Sequence, residues 1–354
     1  MTKSNCNSTG DTPMRIRSLA TILVFLFLFS MTLTAHSDTT SIEAQVSPPL
    51  GALGGCSQEF AEHRIQHGTN GLYVREYAGT EPPVVLMHGF PDNLHLYDRI
   101  VPYLCGRHFV LFDFLGWGRS DKPKGYSYTF DDQKAQLDAV IQQLALQQPL
   151  LVAHDASGPA AINWALDHNQ ETGGLVLLNT FYHLAPSLSA PEAIAIFGDL
   201  LELRTAPVVP PTSPWSFKRL SQAIANDPQM FRWLYFWQVG SFFRDDGVRE
   251  RFLPRLYTQF AQKPSTIPAF VELNHDLGNS IQANTKRAPE LAAFDGPVRI
   301  IFGASDPYLN AELAQDFHNV FPTSDLFLLS TARHYVQMDE PAQVAHLILT
   351  AKTR

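Results

Sequence analysis

At 354 residues, with 45% hydrophobic and only 17% charged side chains, the chain is long enough to bury one large core and too apolar to be disordered over most of its length. A net charge of −8 with no basic cluster speaks against a nucleic-acid partner. Three cysteines are too few for a disulfide framework, and none stands in a CxxC or His-rich spacing, so neither a structural metal nor any other cofactor is indicated.

The first element in chain order is "MRIRSLATILVFLFLFSMTLTAHS", with two arginines, an apolar run over Leu19–Phe29 and small residues leading to Ser37. This layout predicts a secretory signal over 1–37 and an exported chain, periplasmic or secreted, with no stable membrane association after cleavage. The alternative is an uncleaved membrane anchor, for which the apolar run is short. Met14 is an alternative start to Met1. A flexible tail is expected over 38–55. Cys6 would leave with the signal; whether Cys56 and Cys105 pair is open.

From residue 56 the chain alternates strand and helix signals. "AEHRIQH" and "LYVREY", joined by "GTNG", read as an opening hairpin. "PPVVLMHG", "HFVLFDF", "PLLVAHD" and "GLVLLNT" are continuous apolar runs, as expected of strands covered on both faces. Helices are predicted between them over Leu94–Leu104, Phe130–Leu146 and Ser157–Asp167. The rhythm stops near Phe181. Residues 182–287 are rich in proline, aromatics and helix formers, and "PVRIIFG", "DLFLLS" and a closing helix over Pro341–Lys352 follow. The division is an α/β core over 56–181 and 288–354, interrupted by a helical cap over 182–287 that covers the strand ends.

Reactive groups in such sheets gather beyond the carboxyl ends of strands. Asp155, Asp306 and His334 each follow a strand, in the chain order nucleophile, acid, histidine. Asp155 stands in "AHDASG", whose small residues Ala153, Ser157 and Gly158 suit a tight strand-to-helix turn. Ser157 itself is a poor serine nucleophile, because Asp155 and Pro159 occupy the flanking positions that such a turn keeps small. Asp155 could otherwise be a plain helix cap, and Asp306 an Asp-Pro turn. Asn179 ends another strand but cannot be an anionic partner for a histidine.

The segments "HGFPDNLHLYDRIVPYL", "DFLGWGRSDKP", "AHDASG", "FGASDP" and "HYVQMDEP" resemble those of α/β-hydrolases with an aspartate nucleophile, the epoxide hydrolases and the haloalkane and fluoroacetate dehalogenases. The resemblance runs from about residue 60 to the end of the chain. It implies an α/β-hydrolase fold, with a mostly parallel eight-stranded sheet and a helical cap. It further implies that Asp155 forms a covalent ester, that His334 activates the water hydrolysing it and that Asp306 orients the imidazole. The resemblance also implies that the backbone N–H groups of Phe90 and Ala156 form the oxyanion hole, and Pro91 is expected to fix that turn as a cis peptide.

Two family features differ. Haloalkane dehalogenases carry Trp, and fluoroacetate dehalogenases Arg, after the nucleophile; here that residue is Ala156, and Phe90 stands where an Asn often holds the halide. Epoxide hydrolases polarise the epoxide with cap tyrosines, for which Tyr182, Tyr235 and Tyr257 are the candidates, with Trp233 beside them. Trp233, Phe236 and Trp237 also read as cap core at helical spacing. The expected substrate is a small apolar epoxide, with carbon–halogen cleavage as the alternative. A hydrolase-fold binding protein without turnover is a further alternative, and a serine esterase a weaker one.

Overall fold

The computed structural model describes residues 59–198 and 217–354. The expected signal, the tail and Cys56 therefore lie outside the described residues. Cys105 is disulfide-bonded. No helix among the described residues is long and apolar enough to cross a membrane.

Eight strands form one sheet: β1 (Ala61–His67), β2 (Asn70–Tyr77), β3 (Thr80–Met87), β4 (Arg107–Asp113), β5 (Leu150–Asp155), β6 (Gly174–Thr180), β7 (Val298–Gly303) and β8 (Ser324–Leu329). Their order is β1-β2-β4-β3-β5-β6-β7-β8. Pairs β1–β2 and β2–β4 are antiparallel, and every other pair is parallel. The hairpin joining β1 to β2 turns at Gly68, whose φ of +60° suits a residue without Cβ. Strands β6 and β7 are buried at every position and β5 at all but Asp155, which explains their unbroken apolar runs. Edge strand β1 has one buried residue in seven, and its sequence alternates accordingly.

Helices α1 (Phe130–Gln143) and α2 (Gly158–Asp167) occupy two of the crossovers. Thr129 opens α1 with a reciprocal capping box to Asp132. The helix expected over Leu94–Leu104 is instead two short 3₁₀ turns, Leu94–Tyr97 and Val101–Tyr103. Pro102 is the physical reason, because its ring and missing N–H would break a continuous α-helix one turn earlier. Between β6 and β7 lie α3 (Glu192–Gly198), α4 (Phe217–Asn226), α5 (Pro228–Gly240), α6 (Asp246–Ala261) and α7 (Ile267–Arg287). The chain closes with α8 (Ala311–Val320), α9 (Val336–Asp339) and α10 (Pro341–Leu349).

Candidate active site

The turn from β5 into α2 is tightly packed. Asp155 has φ +50°, in the left-handed region, at a cost of about 1–2 kcal/mol that the surrounding packing supports. A Cβ on Gly158 would overlap the Thr180 hydroxyl, and one on Gly89 would overlap the Asp155 side chain. Both glycines are thus required for the backbones to approach. Ser157 is fully buried; its hydroxyl accepts from the His154 N–H at 2.9 Å and faces the carbonyls of His154 and Met87. That hydroxyl serves the turn and is not among the groups lining the cavity.

Asp155 Oδ2 accepts the Phe90 N–H at 2.9 Å, and the Ala156 N–H also bonds the carboxylate. Both N–H groups named from the sequence therefore converge on one side chain, and the Phe90–Pro91 peptide is cis. Burial pushes the Asp155 pKa up, while His334 and the two N–H groups pull the other way.

His334 follows β8, and its Nδ1 lies 2.8 Å from Asp306 Oδ2. Donation from Nδ1 to that carboxylate leaves Nε2 for the cavity, which His334 and Asp155 both line. Asp306 is held by further donors: Asn179 Nδ2 at 3.0 Å, and the N–H groups of Tyr308 and Leu309 at 2.9 and 3.2 Å. Burial disfavours the imidazolium, but the charge and hydrogen bond of Asp306, helped by Asp155 and Asp92, outweigh it and raise the His334 pKa to about 9.

Three further groups escaped sequence reasoning. Asp92 is fully buried; its Oδ1 accepts the Tyr335 hydroxyl at 2.7 Å, and its Oδ2 has no partner among the described residues. Burial pushes its pKa up to about 7. Tyr308 lines the cavity and donates its hydroxyl to Glu192 at 2.7 Å. Gln238 of α5 also lines the cavity, accepting the Ala193 N–H and approaching the Tyr308 hydroxyl at 3.2 Å. The readable signals were Tyr308 two residues after Asp306, and Gln238 one helical turn beyond Tyr235.

The walls of the cavity are largely apolar side chains such as Phe181, Phe231, Phe270, Leu277 and Ile281. None of its described lining residues is Lys, Arg or Trp. Of the four aromatic candidates, only Tyr235 lines it. Its hydroxyl is buried with no hydrogen-bond partner among the described residues. Tyr182 instead donates to Asn163 at 2.7 Å, and Tyr257 packs behind Tyr235 with ring centroids 5.2 Å apart. Trp233 is 40% exposed and stacks on Trp237, which corrects the expectation that it belongs to the core. The reason is helical phase: Phe231, Leu234, Tyr235 and Gln238 form the inward face of α5, and Trp233 and Trp237 lie opposite. His88 and Asp113 fix loops. His88 accepts the Phe114 N–H, and Asp113 accepts those of Leu94 and Arg119.

A mostly parallel eight-stranded sheet, with these residues grouped at its carboxyl end, defines an α/β-hydrolase, and the chain belongs to that family. A family model described as the alpha/beta hydrolase fold matches residues 82–341. Haloalkane dehalogenase 2 of Mycobacterium tuberculosis is 34% identical over 118 residues, 33% of this chain; the match spans only 41% of that relative's length. A cis-3-alkyl-4-alkyloxetan-2-one decarboxylase of Xanthomonas campestris is 26% identical over 288 residues, covering 78% of this chain and 90% of the relative. The crystal structure of the haloalkane dehalogenase DbeA from Bradyrhizobium elkani superposes with a TM-score of 0.64 at 22% identity, over 82% of this chain and 98% of that one. The protein is thus a hydrolase-fold enzyme with dehalogenase-like relatives.

Proposed function

We propose that Asp155 is a nucleophile and that the protein is an epoxide hydrolase working through a covalent ester. What carries the reading is the Asp155 carboxylate itself, bound by two backbone N–H groups at a strained turn and sharing a cavity with His334. In the first step one carboxylate oxygen attacks an sp³ ring carbon, the C–O bond breaks, and Tyr235 gives its phenolic proton to the departing oxygen. The other oxygen stays in the hole formed by Phe90 and Ala156. In the second step His334 takes a proton from water, whose oxygen attacks the ester carbonyl. The ester C–O bond breaks, the departing alkoxide takes the proton from His334 to give the diol, and the acid proton left on Asp155 returns to the Tyr235 phenolate. Asp306 keeps the imidazole in the tautomer this needs.

An oxygen leaving group fits the cavity better than a halide. Ala156 and Phe90 supply no side-chain N–H at the two positions flanking Asp155, and the apolar walls would strip a halide of its hydration. The Tyr235 hydroxyl is a neutral donor without another duty. The expected substrate is a small apolar epoxide. The high coverage of the oxetanone decarboxylase favours a second reading, in which the attacked ring is a dialkyl β-lactone and its ring oxygen leaves as a carboxylate.

The test is intact-mass spectrometry of His334→Gln incubated separately with styrene oxide, a dialkyl β-lactone and bromohexane. An adduct of the whole epoxide mapped to Asp155 is expected. An alkyl adduct with bromide release moves the protein to the dehalogenases. No adduct from any of the three, on folded protein, refutes the nucleophile assignment.

A further inference from the structure

His154 precedes Asp155 and is fully buried, yet the mechanism above gives it nothing to do. Its Nε2 donates to the backbone carbonyl of His334 at 3.0 Å, and its ring meets the His334 ring edge-on, with centroids 4.7 Å apart at 64°. On the other side Nδ1 has no partner among the described residues and faces Gly89, where an added Cβ would approach it to 3.0 Å. Its own N–H is pinned by the Ser157 hydroxyl. The imidazole is thus a rigid strut with one end in the strand carrying Asp155 and the other on the loop carrying His334, two elements 180 residues apart.

We propose that His154 is a positioning residue that sets the reach of His334 toward the Asp155 ester. The proposal rests on the nucleophile assignment. The His334 side chain is already oriented by Asp306, but a side-chain hydrogen bond fixes the ring only as well as the backbone beneath it is fixed. The bond from His154 supplies that, and supplies it relative to the atom being attacked. Losing it moves the base and leaves the carboxylate, which the Phe90 and Ala156 N–H groups hold independently. The two half-reactions therefore separate. Ester formation needs Asp155 alone in place, and ester hydrolysis needs the distance that His154 sets.

His154→Phe fills the same space without a donor, and His154→Gln places an amide N–H near the position of Nε2. Rapid-quench mass spectrometry, using whichever probe labels His334→Gln, reads the two rates. For His154→Phe, ester should form within about threefold of the wild-type rate. Its hydrolysis should slow on the order of 10- to 100-fold, since a displacement of about 1 Å costs that much, so ester accumulates during turnover. His154→Gln should restore most of the hydrolysis rate. Equal loss in both steps, or no rescue by Gln at matched thermal stability, overturns the proposal and leaves His154 a packing residue. Should the Phe variant not fold, His154→Asn, whose shorter amide cannot reach the carbonyl, takes its place against Gln. Failure of His334→Gln itself to hold an ester is the separate result that refutes the nucleophile assignment.

Discussion

Replacing Tyr235 by Phe should make the protein more stable and less active at once. The side chain is 4% exposed, its hydroxyl has no hydrogen-bond partner among the described residues, and burial raises its pKa well above the usual value, so it stays a neutral donor. A buried hydroxyl left without a partner costs about 1–3 kcal/mol, and Phe keeps the ring packing against Phe260 and Tyr257 without that cost. A gain of about 1 kcal/mol corresponds to a rise in Tm of about 2 °C for a chain of this size. Loss of the acid that protonates the leaving oxygen should lower kcat/KM by about 10²- to 10⁴-fold. Thermal unfolding without substrate and turnover of the labelling epoxide measure the two effects. A lower Tm would mean that the hydroxyl is structurally bonded; unchanged turnover would remove Tyr235 from the chemistry. Tyr257→Phe is the control, since that ring lies behind Tyr235 and off the cavity, and its turnover should change little.

Other outcomes follow from the same geometry. His334 gains stability from being charged in the folded state. Its pKa rises from 6.5 to about 9, so the contribution is complete below about pH 6.5 and disappears as pH rises through about 9. Urea unfolding should therefore show the stability difference between wild type and His334→Gln shrinking from about pH 6 to about pH 9.5, by on the order of 3 kcal/mol; a constant difference refutes the assigned pairing. Asn179→Leu removes a donor to Asp306 while leaving His334 in contact with it. It should cost about 1–3 kcal/mol and slow ester hydrolysis more than ester formation, as rapid quench would read. Ser157→Ala should lose about 1 kcal/mol of stability, through the hydroxyl that caps the His154 N–H, and retain turnover. Abolished turnover with intact folding would revive the serine esterase.

The sheet was legible in the sequence because its central strands are buried on both faces, which leaves an apolar signature needing no partner to read. Asp155, Asp306 and His334 were legible for a related reason: each sits where a strand ends, and strand ends are local. The inserted helices were harder. Tyr182, Tyr235, Tyr257 and Trp233 are equally plausible by composition, and only the rotation of α5 and the packing behind it separate the one that faces the cavity from the three that do not. Asp92 was missed for the opposite reason. Its hydrogen-bond partner, Tyr335, is 243 residues away, and no local pattern marks a carboxylate that will meet a distant phenol. Leu94–Leu104 was misread as one helix because its apolar spacing outweighed Pro102, although proline is the stronger constraint.

The raised pKa of His334 bears on timing. With its pKa raised to about 9, chiefly by Asp306 and further by Asp155 and Asp92, the His334 imidazole favours its cationic form at neutral pH, in which it does not accept a proton from water. In the proposed mechanism, esterification would turn Asp155 from an anion into a neutral group and so withdraw one of the charges that raise the His334 pKa. The imidazolium would then give up its proton to solvent more readily, so the electrostatic balance of the site favours ester formation before hydrolysis. On that reading, a water molecule reaching the pocket before the ester forms would meet a His334 that is largely protonated, and the second half-reaction would follow the first.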